Sequence, residues 1–127
     1  MPIGREGPLN NSDLAHRIHG LYAAFNDRNS DFVVKQMTPG VEWPRAFKGG
    51  FVQGHDAVRA YWEDQWKEID PHVNPVSVEP LEDGRVDVEV HQVVRDLEGN
   101  VIADSIVHHI YTFDDEAISR MEVLTED

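Results

Sequence analysis

The stretch Arg85–Phe113, RVDVEVHQVVRDLEGNVIADSIVHHIYTF, decides the fold of this chain. It is rich in β-branched and aromatic residues and is broken once, at Asp96-Leu97-Glu98-Gly99-Asn100, where turn formers gather. It therefore predicts two long antiparallel strands joined by one tight turn. A hairpin of this length, placed after a helical first half, predicts a curved sheet wrapped around helices, with a pocket at its wide end. Three histidines, His91, His108 and His109, lie on the hairpin.

Neighbours on a strand point to opposite faces, so His108 and His109 cannot serve one site together. Ala103, Ser105, Val107, His109, Tyr111 and Phe113 share one side of the second strand, and Ile102, Asp104, Ile106, His108 and Ile110 the other. Both sides are largely apolar, which is unusual for an antiparallel sheet with one wet face. Helices on one side and a second subunit on the other account for it. The turn decides what joins His109 from the first strand. A type I turn with Gly99 in the left-handed conformation closes a three-residue loop, sets Asp96 opposite Asn100, and brings Glu89, His91 and Val93 to the face of His109. A four-residue loop reverses this and brings Val88, Val90 and Gln92 there instead. The sequence suits the first, although a bulge elsewhere shifts the register.

Upstream, Leu14, Ile18, Leu21, Tyr22 and Phe25 recur at helical spacing behind Ser12 and Asp13, and predict an amphipathic helix from about residue 13 to 27. Ser30 or Asp31 opens a short second helix through Met37, ended by Thr38-Pro39-Gly40. Val41-Glu42-Trp43 is extended ahead of Pro44. Arg45–Gly54 reads as a loop bearing Phe47 and Phe51. A third helix over about residues 55–68 carries Val58, Tyr61, Trp62, Gln65 and Trp66 on its inner stripe. Pro71–Glu79 reads as a strand that Pro75 and Pro80 confine to an edge. Ala117–Leu124 forms a last strand after an Asp114-Asp115-Glu116 turn. Helices followed by strands define an α+β fold with an antiparallel sheet. Residues 1–11 read as a mobile tail and residues 12–127 as a single domain.

The chain has 127 residues, no cysteine, and 24 acids against 11 bases, a net charge of −13. A disulfide framework is excluded, and nucleic acid and anionic membranes are poor partners for so acidic a surface. Without an apolar run of spanning length or a signal peptide, a soluble cytoplasmic protein is expected. His16 and His19 share a helix face but have no third ligand near, so no metal site is expected.

Four features together resemble the SnoaL-like group of the nuclear transport factor 2-like superfamily. They are Tyr22-Ala23-Ala24-Phe25-Asn26, Val41-Glu42-Trp43-Pro44, Gly54-x-x-Ala57-Val58-Arg59 and His109-x-Tyr111, within a likeness running from about Leu14 to Val123. The resemblance implies a cone-shaped curved sheet around about three N-terminal helices, a deep internal pocket, commonly a homodimer, and the His109 side as the inner one. It implies no single activity, since the group holds isomerases, cyclases, dehydratases, epoxide hydrolases and binding modules. The ketosteroid isomerase type uses a carboxylate base with a tyrosine and a carboxylic acid as oxyanion hole. The likeness lays Trp43 on the base, Leu21 on the tyrosine and His109 on the acid, with Tyr22 one residue off. Only His109 keeps a proton-carrying group, which speaks against steroid-isomerase chemistry.

The expected site is then His109, with His91 and Glu89 beside it, in a pocket lined by Leu21, Phe25, Trp43, Trp62, Val107, Tyr111 and Met121. A buried imidazole near a carboxylate exchanges protons near neutral pH. The plain alternative is a set of core polar groups satisfied by each other and by water. Two functions follow. One is a small-molecule-binding protein for a hydrophobic or aromatic ligand, doing proton-transfer chemistry of isomerase, cyclase or dehydratase type without a cofactor. The other is a non-catalytic dimeric ligand-binding or protein-interaction domain, pairing through its outer sheet face, with a pocket plugged by Trp43, Phe47 or Phe51.

Overall fold

The computed structural model describes residues 11–45 and 49–125. Helix α1 (Asn11–Asn26) is followed by α2 (Ser30–Val34), strands β1 (Met37–Pro44) and β2 (Phe51–Gln53), helix α3 (His55–Trp66), and strands β3 (Ile69–Pro80), β4 (Val86–Asp96), β5 (Val101–Asp114) and β6 (Ala117–Thr125). The strands form one sheet in the order β2-β1-β6-β5-β4-β3. All pairings are antiparallel except β1 with β6. The tail expected over 1–11 lies outside the described residues apart from Asn11, which already belongs to α1. Phe47 also lies outside them.

Helix α1 buries the stripe Leu14, Ile18, Leu21 and Tyr22. It meets Val33 and Val34 of α2, Val58 and Trp62 of α3, and Val88, Val90, Val107, Tyr111 and Met121 of the sheet in one core. Trp62 stands edge-on to Trp43 at 5.4 Å and to Phe25 at 5.3 Å, the perpendicular geometry that aromatic quadrupoles favour. Asn26 closes α1 and works as a piece of strand. Its Nδ2 donates to the Val73 carbonyl at 2.9 Å and its Oδ1 accepts from the Val73 N–H at 3.0 Å. That satisfies both backbone groups of Val73 on β3, which is an edge strand.

Helix α2 is shorter than the sequence suggests. Its cap is Asn29, whose side chain accepts from the Phe32 N–H, rather than Ser30 or Asp31. Thr38-Pro39-Gly40 does not end a helix but lies inside β1. Pro39 pushes Thr38 towards extended backbone, and the Ile118 N–H donating to the Gln36 carbonyl at 2.8 Å starts the pairing with β6. This partner lies 82 positions away in sequence (118 − 36), beyond the reach of local pattern.

Three single-residue bulges bend the sheet. Pairing steps from Pro75 to Ser77 against β4, from Val101 to Ala103 against β4, and from Ile118 to Arg120 against β5, leaving Val76, Ile102 and Ser119 extra. Each bulge kinks its strand and increases the right-handed twist, so the sheet curls over the helices into an open cone.

The bulge at Ile102 also resolves the hairpin. The turn is the three-residue one: Asp96 faces Asn100, its N–H donating to the Asn100 carbonyl at 2.9 Å, and Gly99 has φ 96°. Arg95 still faces Val101, but beyond the bulge Val94 faces Ala103 and Val88 faces His109. The extra residue swaps the faces of β4 relative to β5. Val88, Val90 and Gln92 therefore share the inner face with His109, and Glu89 and His91 go outside.

Candidate functional site

The cone encloses a cavity of about 250 Å³. Leu21, Tyr22 and Phe25 of α1, Trp43 of β1, Tyr61, Trp62 and Gln65 of α3, and Val107, His109, Tyr111 and Met121 of β5 and β6 form most of its wall. Gln92, Ala103 and Ser105 line it where the strands become exposed. No Asp, Glu, Lys or Arg is among the described residues of the lining. Its titratable groups are one imidazole and three phenols.

Three of these four groups are joined. Tyr22 Oη lies 2.6 Å from His109 Nδ1 and 2.7 Å from Tyr111 Oη. The elements that bring them together are far apart in sequence. Tyr22 hangs from the inner stripe of α1, and His109 and Tyr111 sit two apart on β5, on the same face. All three are buried, His109 at 7% exposure and Tyr111 at 1%. Burial, with a smaller contribution from the charge of neighbouring His108, lowers the pKa of His109 to about 4. Burial raises both tyrosine pKa values above the ordinary phenol range. At neutral pH the cluster is uncharged throughout. Nδ1 of His109 is committed to Tyr22, while Nε2 has no protein hydrogen bond among the described residues.

Glu89 and His91 do not join it. His91 Nε2 lies 2.7 Å from Asp104 Oδ1 on the outer face, its side chain 42% exposed, and Glu89 accepts from Ser77 at 3.4 Å. The assumption that failed is a continuous register from turn to strand; the Ile102 bulge broke it. His108 is outside as well, its Nδ1 2.8 Å from Asp87 Oδ1. Asp104 and Glu122 also lie there. Leu21, Phe25, Trp43, Trp62, Val107, Tyr111 and Met121 all line the cavity, and Phe51 lies outside it, beneath the Arg120 guanidinium at 4.2 Å. His16 and His19 are exposed on α1, and His55 bonds the Met37 carbonyl. Among the described residues no three His, Asp or Glu side chains gather as metal ligands would.

Tyr22 is the member of the buried cluster that comparison with the isomerase type undervalued by matching Leu21 instead. Both belong to the buried stripe of α1, and one step along a helix turns only about 100°. The legible signal was a phenol on an otherwise apolar inner stripe. Gln92, opposite Ser105 in the sheet, is likewise a lining residue, and its face depended on the register.

A cone with an aromatic pocket and a buried polar cluster defines a class, and sequence comparison places the chain within it. The SnoaL-like domain family model matches residues 18–121, and the chain belongs to that family. Among solved structures it is similar to TerC co-crystallised with polyporic acid, at 25% identity over 88% of this chain and 90% of that one, TM-score 0.75. It is similar to an NTF2-like protein of unknown function from Burkholderia pseudomallei, at 22% identity over 93% and 92%, TM-score 0.76. A third is the epoxide hydrolase/cyclase-like enzyme SalBIII, described in pyran ring formation in the polyether salinomycin, at 16% identity over 92% and 93%, TM-score 0.75. The last two likenesses carry the fold alone. No curated protein matches the chain. No helix among the described residues is long and apolar enough to cross a membrane.

Proposed function

We propose that this protein binds a small apolar cyclic ligand in its cone and carries out proton-transfer chemistry on it without a cofactor, with His109 as the acid/base group. The observation that carries the reading is a buried neutral imidazole in an apolar aromatic wall, one nitrogen anchored by Tyr22 and the other without a hydrogen bond among the described residues. Such a nitrogen acts as donor or acceptor towards an occupant without first being desolvated. The company of a polyporic acid complex and a cyclase-like enzyme among similar folds supports a ring-bearing ligand. His91 and Glu89 have no part in it, since they lie on the far side of the sheet.

A thermal-shift screen with aromatic and polyketide-like compounds tests this. A true ligand at 100 times its Kd adds about 2.7 kcal/mol of stability and raises Tm accordingly. His109→Gln abolishes turnover of any substrate found; unchanged turnover would exclude the catalytic role. The competing reading, a dimeric domain with a plugged pocket, draws less support, because Trp43 stands in the wall of a cavity that stays open at about 250 Å³. Pairing of two copies through the outer face is compatible with both. Leu124, 57% exposed, lies opposite His108 there, on the same face as Ile106 and Val93. A monomer by light scattering at micromolar concentration rules the pairing out.

A further inference from the structure

The chain His109 Nδ1, Tyr22 Oη, Tyr111 Oη is unbranched, with spacings of 2.6 and 2.7 Å, and such a chain has two directions. In the first, the Tyr111 O–H donates to Tyr22 Oη and the Tyr22 O–H donates to Nδ1. Both hydroxyl hydrogens are then used inside the protein, and the neutral imidazole carries its proton on Nε2. In the second, Nδ1–H donates to Tyr22 Oη and the Tyr22 O–H donates to Tyr111 Oη. The hydrogen of Tyr111 is then left without a protein acceptor, because Tyr22 is its only hydrogen-bond partner among the described residues. Each direction leaves one donor without a protein acceptor among the described residues, Nε2–H in the first and the Tyr111 O–H in the second, at a cost of about 1–3 kcal/mol in either case, so the protein alone holds the two directions close in energy. A cavity occupant that accepts from Tyr111 satisfies the donor of the second direction alone and makes that direction the lower in energy. It thereby sets the chain in that direction and leaves Nε2 bare, a base.

We propose that the cone is a two-ended neutral proton relay for uncharged, enolisable cyclic ketones, in which His109 Nε2 takes a proton from the carbon beside the carbonyl and Tyr111 gives one to the carbonyl oxygen. This rests on the reading of His109 as the acid/base group of the cavity. The step balances within the chain. The C–H bond breaks, and its electron pair becomes the C=C bond of the enol. The carbonyl π pair takes the hydrogen of Tyr111. Tyr111 Oη takes the hydrogen of Tyr22, and Tyr22 Oη takes that of Nδ1. His109 ends as the Nε2–H tautomer, with the chain in its first direction. The reverse step, at the same carbon or another, exchanges or isomerises the ketone.

Three features favour a relay without ions. No charged side chain among the described lining residues would balance an imidazolium or a phenolate. Burial opposes charging all three groups. His109 and Tyr111 stand side by side on one face, their ring centroids 6.4 Å apart, so one small ligand touches both. An apolar cavity of about 150 Å³ holds benzene. The cavity here, about 250 Å³, has room for two fused rings. Tyr22 touches no ligand in this scheme and is a positioning residue.

The test uses 2-tetralone, a two-ring ketone, with naphthalene as the analogue lacking an acceptor. Proton NMR in D2O follows deuterium exchange at the carbons flanking the carbonyl, and 15N NMR reads the tautomer of His109. The free protein is expected to show a mixture of Nε2–H and Nδ1–H, the 2-tetralone complex Nδ1–H, and the naphthalene complex the same mixture as the free protein. His109→Gln, Tyr111→Phe and Tyr22→Phe, each with Tm measured to establish folding, are expected to slow exchange by about 100-fold or more. In Tyr22→Phe the ligand-induced change of tautomer is also lost. Exchange lost in His109→Gln but kept within twofold in both tyrosine variants overturns the relay and leaves His109 as a lone base. Binding of 2-tetralone with no change of tautomer and no exchange above buffer overturns the relay in the wild-type protein itself. Binding of neither compound overturns both the relay and the reading of the cavity beneath it.

Discussion

The two faces of one sheet place the same side chain in opposite surroundings. His108 and His109 are adjacent on β5. On the outer face His108 lies 2.8 Å from the Asp87 carboxylate, and His91 repeats the arrangement with Asp104 at 2.7 Å. These are histidine–carboxylate pairs, at least partly open to water. On the inner face His109 has no carboxylate, meets two phenols, and is kept neutral by burial. Alternation along a strand separates an acidic, water-facing surface from an apolar cavity by a single residue. The same residue type becomes a surface charge partner or a buried hydrogen-bonding group according to which solvent its face meets.

The harshest way to break the inner face is Trp62→Ala. Trp62 is 2% exposed and packs edge-on against Trp43 and Phe25. Its loss is expected to cost about 3–5 kcal/mol, read as a lower denaturant midpoint.

The next effect is one of pH. In the unfolded chain His109 titrates near 6.5, and in the fold near 4. Between these values the unfolded state binds the proton that the folded state refuses, so stability rises with pH there. The contribution is complete above pH 6.5 and is lost as pH falls towards 4, by about 3 kcal/mol in all. His109→Gln lacks it. Denaturant midpoints of wild type and variant, compared from pH 7 to pH 4, measure the difference. Parallel curves would show that the inner histidine is no drier than the outer ones.

Gly99→Ala addresses the turn that joins the two strands. A Cβ there meets nothing within 4 Å, so only the left-handed φ of 96° is penalised. A loss of about 1 kcal/mol is expected in urea unfolding, with ligand binding unchanged, because the Ile102 bulge and not the turn sets the inner face. The smallest effect belongs to the outer pairs. Asp104→Asn should cost less than about 1 kcal/mol, since side chains 60% and 42% exposed gain little from pairing in water. A loss well above that, falling with dilution, would mean that a second copy covers this face.

How much of this was legible depends on how far apart the deciding residues are. The stripe Leu14, Ile18, Leu21, Tyr22, Phe25 is local and declares α1 without any partner. The Asp96–Asn100 turn is local too, and its three-residue loop and left-handed Gly99 are present in the structure. Thr38-Pro39-Gly40 misleads because a helix stop and an irregular strand use the same residues, and only the pairing of β1 with β6 separates them. Ile102 misleads more seriously. Nothing in Val101-Ile102-Ala103 marks a bulge, yet that one residue moves Glu89 and His91 out of the pocket and Gln92 into it.

The sequence by itself determined the order of the helices and the long strands, though not β2, which lies within the stretch Arg45–Gly54 that reads as a loop, together with the separation of His108 from His109 and the aromatic character of the cavity. These follow from spacing along one element, where periods of 3.6 and 2 leave little choice. Only the tertiary structure decided that Val88 rather than Glu89 lies opposite His109, and that the Tyr22 hydroxyl joins its ring to the hydroxyl of Tyr111. Those outcomes depend on where an extra residue is absorbed and on how a helix is seated over a curved sheet. Both are set by packing between segments that have no knowledge of each other until the chain folds.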